Sequence, residues 1–418
     1  MHEAESHKGL LAQYQFMRYA YGKNTDTAFR LIFGQYFSWY QTFIGDYPDA
    51  SASFSIQQPG APDDHASPLA TGGYSPRTAL EAIPELARGY RAVFFNEAHN
   101  VPMTRILTVQ LLRKLREEGF NYFAAETLYQ TDTGLASRGY PIKDSGFYTQ
   151  EPIYAEMVRT ALKLGFKVVA YEATSDATGD AREREQAVNL YREVFQKDPH
   201  ARLVLNAGYA HIQSSGSFLG GLSMAEHLHK LAGVSALTVE QTVMFAHQLR
   251  RDDHPYYGAV IEHVHPTVPI VFVNSQGKPW TLRDGYDVSV FFPAQQLTSG
   301  RPTWVSLGGL RKPFPVSGDR CRDDYPCLVE AHYMQEGRDS IPADVLVLDP
   351  VPLDAMSNDR ILFNRNEPSS VLYLRPGKYR LTYTNQKNIV LLEQQIDIPA
   401  HAPTAVPTAA ASAPPKTT

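Results

Sequence analysis

The chain has 418 residues, 43% of them hydrophobic and 20% charged, a composition that folds and a length above the usual size of a single core. Its formal net charge of -5, with the two signs interspersed, supplies no basic stripe to neutralise a phosphate backbone, which argues against nucleic acid as a partner. No apolar run approaches the ~20 residues of a membrane-spanning helix, and the N-terminus lacks the charged start and apolar stretch of an export signal, so a soluble protein without a membrane span is expected.

Between residues 8 and 43, Tyr14, Phe16, Met17, Tyr21, Phe29, Leu31 and Ile32 fall at mixed helical spacings and predict one or two helices packed on the main body. Residues 58–73 are polar and broken by Pro59, Pro62 and Pro68, which predicts a loop; a helix over 76–87 follows, with Leu80, Ile83 and Leu86 on one face. From Arg91 onward short apolar strands alternate with amphipathic helices. Strands are expected over 92–95, 122–125, 168–171 and 203–205, and helices over 104–118, 153–164 and 182–196. Ser223 and Glu226 form a capping-box signature for a helix ending near Gly233. This alternation predicts an α/β fold with a mostly parallel sheet flanked by helices on both faces. Further strands over 237–243, 259–263 and 270–273 close the domain near Gln296.

Beyond Gly300, strands over 328–331, 345–348, 371–374, 379–383 and 389–396 follow without helices between them, Pro376 and Gly377 marking a tight turn, so a C-terminal β-sandwich is expected. The Ala, Pro and Thr tail from Pro399 has almost nothing to bury and reads as disordered. The expected organisation is a helical segment and loop (1–75), an α/β domain (76–300), a β-sandwich (301–398) and a tail (399–418). The only cysteines, Cys321 and Cys327, lie close together among Gly318, Asp323, Asp324 and Pro326. They read either as a small disulfide loop, implying a periplasmic or secreted protein whose export signal lies outside this sequence, or as two reduced thiols of a cytoplasmic one.

Ligands of parallel α/β sheets bind outside the carboxyl ends of the strands. The first strand is followed by Asn96, Glu97, Ala98, His99 and Asn100, the second by Glu126, the third by Glu172, and the fourth by a segment from Asn206 to His211. A lone Glu after a strand is commonly a solvated loop residue, but four successive strand ends together argue for one shared catalytic site of Glu97, His99, Glu126, Glu172 and His211. His99 precedes a helix beginning near Pro102, with Asn100 as N-cap, and the positive helix end would keep the imidazole neutral. Arg105, in the first turn, would hold an anionic group or orient Glu126, or else be a surface cation; Asn96 and Tyr209 complete the expected substrate contacts. Two nearby carboxylates can divide acid and base work; alternatively His99, His211 and Glu97 would bind zinc or manganese and activate a water, and the residues leave both open. His227 and His229 point to different helix faces and read as surface residues. His263 and His265 share a face at the end of an expected strand, where Pro266 points to a chain exit more than to a metal site. Gly216, Gly220 and Gly221 read as a flexible loop over the site, and no P-loop, dinucleotide fingerprint or nucleophile elbow is present.

On these residues the chain resembles the superfamily of erythromycin esterases, ChaN-like haem-binding lipoproteins and the Tiki and TraB proteins. Phe95, Asn96, Glu97, Ala98 and His99 are similar to its Gly-Glu-x-His or Gly-Glu-x-x-His motif, with Asn96 in place of the Gly. Arg105, Leu111, Leu112 and Leu115, then Gly119, Phe120, Ala125 and Glu126, resemble its second block. The segment from Asn206 to His211 resembles its Gly-x-Gly-His block, stretched by Tyr209 and Ala210, and Ser223, Met224, Ala225 and Leu228 resemble the helix after it. The resemblance spans 91–243 and implies one of two activities. Esterase-like and Tiki-like members hydrolyse ester or peptide bonds with Glu and His groups, the latter with a divalent metal, whereas ChaN-like members bind haem. The expectation is therefore a hydrolase of a small-molecule or peptide substrate in which His99 or Glu97 activates water. A haem or small-ligand binding protein and a catalytically degenerate scaffold are the alternatives, and the sequence does not address the oligomeric state.

Overall fold

A computed structural model describes residues 2–54, 63–349 and 369–400. Pro59, Pro62 and the tail from residue 401 lie outside the described residues. After the short α1 (His2–Glu5), two long helices, α2 (Leu10–Lys23) and α3 (Thr27–Phe43), pack through stacked rings: Tyr14 on Phe37 at 5.8 Å and Tyr21 on Phe37 at 5.0 Å. Asp26 caps α3 by accepting a 2.7 Å bond from the Phe29 amide. The helix α4 (Tyr47–Ser53) follows.

The expected helix over 76–87 begins only at Ala79. Tyr74–Thr78 forms a strand, β1, antiparallel to β7 (Ile270–Asn274), before α5 (Ala79–Ala87). Pro76 is tolerated there because this sheet has two strands, each an edge. Then come β2 (Ala92–Glu97), α6 (Ile106–Glu117), β3 (Tyr122–Ala125), α7 (Leu135–Arg138), α8 (Pro152–Lys163), β4 (Lys167–Val169), α9 (Asp180–Leu190), β5 (Leu203–Gly208), α10 (Met224–Ala232), β6 (Ala236–Glu240), α11 (Pro255–Val264) and β8 (Val288–Ser289). Six of these strands form a parallel sheet in the order β4-β3-β5-β2-β6-β8. Successive strand residues alternate between two buried clusters, Val93, Phe95, Phe123 and Val204 in one, Phe94, Ala124, Leu203 and Leu205 in the other. Both sheet faces are therefore covered, which is why these strands read as continuous apolar runs.

The strand expected over 259–263 is instead part of helix α11. His254 accepts a bond from the Tyr256 amide, Pro255 takes the first helical position, and Tyr257 and Val260 bury one side at helical spacing. His263 is consequently exposed on a helix and His265 is exposed at its C-cap, so the two do not share a strand face.

The chain continues through the short β9 (Leu297–Thr298) and β10 (Arg301–Pro302), then β11 (Lys312–Ser317), β12 (Cys327–Tyr333), β13 (Asp344–Leu348), β14 (Ser369–Leu374), β15 (Gly377–Asn385) and β16 (Val390–Ile398). An antiparallel sheet β13-β12-β15-β16 and the antiparallel pair β11-β14 share one core, with Val316, Leu372 and Leu374 from the pair and Val329, Tyr379 and Leu381 from the sheet. Cys321 and Cys327 form a disulfide with Cα atoms 5.9 Å apart. The N-terminal helices pack against this region, Phe37, Phe43 and Ile44 clustering with Leu328 and Val345. Glu156 of α8 joins it to the α/β sheet by accepting from Tyr333 Oη at 3.1 Å and pairing with Arg311 at 3.3 Å. Among the described residues no helix is long and apolar enough to cross a membrane.

Candidate functional site

The strand order seats β3, β5 and β2 side by side, so Glu126, Gly208 and Glu97 arrive together at one sheet edge. Glu97 ends β2 with both carboxylate oxygens engaged. Arg105 donates from Nε at 2.7 Å and from Nη2 at 2.8 Å, Asn206 Nδ2 donates at 2.6 Å, and His99 Nδ1 lies 3.0 Å away. Burial alone would raise this carboxyl, but the Arg105 charge and the bonds from Arg105 and His99 outweigh it and hold Glu97 down at about 2. Arg105 is itself anchored by Glu151 at 2.9 Å, the N-cap of α8, which also accepts from the Ile153 and Tyr154 amides. The result is a buried carboxylate–guanidinium–carboxylate clamp beneath His99.

His99 stacks on Tyr148 with ring centroids 4.2 Å apart, and Tyr209 meets it edge-on at 5.2 Å. Its Nε2 stands 3.8 Å from Glu126 Oε2, outside hydrogen-bond range. Glu126 is held by the Gly208 amide at 2.6 Å, Arg182 at 3.2 Å and His211 Nε2 at 3.3 Å, while Tyr154 donates its hydroxyl to the Glu126 backbone carbonyl. Burial opposes ionisation of Glu126, yet His211, His99 and Arg182 lower its carboxyl well below the ordinary range. His211 in turn presents Nδ1 to Glu183 at 2.8 Å. Burial would depress this imidazole, but the flanking Glu126 and Glu183 raise it to about 9, so His211 is a cation at neutral pH. Phe218, from the loop carrying Gly216, Gly220 and Gly221, covers the His211 ring edge-on at 4.9 Å.

The two imidazoles thus face opposite oxygens of a single carboxylate, Glu126, with Glu97 next to one of them. Glu172 sits one step out: Arg182 bonds it at 3.0 and 2.9 Å and bridges it to Glu126. Arg105 is fully buried on Glu97 and does not reach Glu126, whose guanidinium is supplied by Arg182. Nor is Asn96 free for a substrate. Its side chain accepts from the Gln241 amide at 2.6 Å, and its carbonyl accepts from Gln241 Nε2 at 2.7 Å, tying β2 to the end of β6. Tyr209 turns back at φ 45° and points its hydroxyl at Asn100 Oδ1, 3.4 Å away. His99 lies between Glu97 and Glu126 rather than at a helix end, because Pro102–Arg105 forms a 3-10 turn before α6 begins. His227 is half-buried, its Nε2 2.9 Å from Asp180, rather than a free surface group.

The trio of His99, His211 and Glu97 does not converge as metal ligands. Glu97 is taken up by Arg105 and Asn206 while His211 faces Glu126 and Glu183, and among the described residues no group of three or more His, Cys, Asp or Glu is placed to hold a metal ion. Carboxylate oxygens neighbour both ring nitrogens of His99 and of His211. Arg182, Glu183, Glu151 and Asn206 were not among the expected site residues. Asn206 had a legible signal, a polar residue directly after the apolar run Leu203, Val204, Leu205, and so did Glu151, an acidic residue directly before Pro152. Arg182 and Glu183 enter through the first turn of α9, which no local pattern ties to the sheet edge.

No protein-family model matches the sequence, and no curated protein matches it. Solved structures with a similar trace include the type III effector HopBA1, at 9% identity and TM-score 0.33 over 54% of this chain and 99% of that one. ChaN of Campylobacter jejuni, described with cofacially bound haem, is similar at 10% identity and TM-score 0.31 over 51% of this chain and 92% of that one. RRSP, a MARTX toxin effector domain from Vibrio vulnificus, is similar at 18% identity and TM-score 0.29, over 48% of this chain but only 40% of its own length.

Proposed function

We propose that the protein is a hydrolase of ester or peptide bonds in which His99 activates water. The reading rests on one observation: His99 Nδ1 is anchored on a carboxylate that is itself clamped, while among the described residues Nε2 has no hydrogen-bond partner, Glu126 Oε2 standing 3.8 Å away. With Nδ1–H donated to Glu97, the ring offers Nε2 as the atom that takes a proton from water, and Glu97 stabilises the positive charge that results. The His99 imidazolium would then return that proton to the leaving group, while His211, cationic and with both ring nitrogens on carboxylates, Glu126 and Glu183, holds Glu126 in place beside it. Glu126 sets the spacing of the two rings, and Glu172 holds Arg182 in place at the outer side. Every charged partner these roles need is carried by the chain itself.

The test is hydrolysis of a panel of p-nitrophenyl esters and fluorogenic peptides by wild type and by His99→Ala. Wild-type turnover that falls by roughly 10²–10⁴-fold in the variant, with an unchanged thermal transition, is the expected result. Turnover undiminished in His99→Ala would remove the assignment. A Soret shift on adding haemin, without turnover of any substrate, would favour the ligand-binding alternative.

A further inference from the structure

We infer that the N-terminal helical segment is part of the site rather than an appendage, with Trp39 of α3 and Tyr47 of α4 as positioning residues for the His99–Glu97 pair; this deepens the hydrolase reading above and rests on it. Two independent lines of contact run from that segment to the pair. The first is aromatic. Trp39 meets Phe147 edge-on at 5.3 Å and Tyr148 at 5.8 Å, Phe43 supports Phe147 at 5.6 Å, and Tyr148 stacks on His99 at 4.2 Å. The second is ionic. Tyr47 donates its hydroxyl to Glu151 at 3.2 Å, Glu151 holds Arg105 at 2.9 Å, and Arg105 grips Glu97 in a two-point bond.

These lines meet at the same dyad from its two sides, one under the imidazole face and one behind the carboxylate. A stacked ring sets the tilt of His99, and a clamped guanidinium sets the position of the Glu97 oxygen that Nδ1 must face. Errors in either displace Nε2, and a displacement near 1 Å is enough to cost on the order of 100-fold in rate. Neither Trp39 nor Tyr47 lies in the α/β sheet: Tyr148 and Glu151 belong to the 3-10 turn and helix cap before α8, and α3 and α4 add a ring against the first and a hydroxyl to the second.

The experiment uses the full chain with Trp39→Ala, Trp39→Phe and Tyr47→Phe. Expected are a kcat lowered roughly 10- to 100-fold with KM changed less than about threefold in Trp39→Ala, substantial recovery in Trp39→Phe, and a loss of roughly 3- to 10-fold in Tyr47→Phe, which removes a single hydroxyl. A second readout does not depend on turnover: the Arg105 Nε–H proton, buried on Glu97, should exchange with solvent faster in Tyr47→Phe than in wild type when followed by NMR. Folded variants with wild-type kcat and wild-type Arg105 Nε–H exchange would overturn the inference. If wild type hydrolyses nothing, the hydrolase reading fails on its own, and unchanged exchange in Tyr47→Phe still overturns the positioning role.

Discussion

Gly208 ends β5 at φ -71°, a backbone conformation open to any residue, yet a Cβ there would fall 2.3 Å from Cε1 and Nε2 of His99 and 3.0 Å from Glu126 Oε2. The absent side chain is what lets the imidazole lie against the strand end. Gly208→Ala is therefore expected to push His99 off its Tyr148 stack and lower turnover by roughly 100-fold, since the ring must move by more than an ångström. Circular dichroism should report an intact fold, and a crystal structure of the variant should show the ring rotated; an unmoved ring with full activity would contradict this. Asn96 shows how a residue type can mislead at this scale. It occupies a strand-end position suited to a ligand, but its amide is spent on Gln241, so its role is to lock β2 to β6.

Arg105 joins elements rather than binding a ligand: it ties the end of β2, through Glu97, to the N-terminus of α8, through Glu151. All three side chains are buried, and the Coulomb gain that offsets their desolvation exists only while each has its partner. Arg105→Ala leaves two buried carboxylates facing each other without a cation, so a loss of about 3–5 kcal/mol in urea unfolding is expected. A loss below ~1 kcal/mol would mean that water replaces the clamp at little cost. Where local chemistry is decisive the elements follow it closely: the Ser223 side chain accepts from the Glu226 amide at 3.1 Å, and α10 ends at Gly233 with φ 61°. Where partners decide, they do not. Tyr74–Thr78 becomes a strand because β7 is there to pair with it, whereas residues 259–263 become helix through a local signal upstream of the apolar run, the His254 cap and Pro255 at the first helical position.

For the molecule as a whole, the ionic site makes stability depend on pH in both directions. His211 has a folded-state value of about 9 against an ordinary 6.5, so its contribution is fully present below about 6.5 and is lost as pH rises through 9. Glu97, at about 2 against an ordinary 4.5, contributes fully above about 4.5 and loses that contribution as pH falls toward 2. Urea unfolding should therefore show a plateau near pH 5–6 and a drop on the order of 3 kcal/mol by pH 10 that is absent in His211→Gln; an alkaline limb unchanged in that variant would assign it to other groups. Much of this architecture was readable from residue order. The βα alternation, the antiparallel C-terminal region, the Ser223 cap and the placement of Glu97, Glu126 and His211 at or just past strand ends all follow from short-range periodicity, capping and turn chemistry, which act within a few residues. Pairing was not readable. That β5 lies between β3 and β2, that Glu126 stands between two imidazoles, and that Arg105 serves Glu97 while Arg182 serves Glu126 depend on contacts between residues far apart in the chain, 109 positions in the Asn206–Glu97 bond. Ion pairs and strand neighbours are chosen by distance in the folded state, and no local pattern encodes that distance.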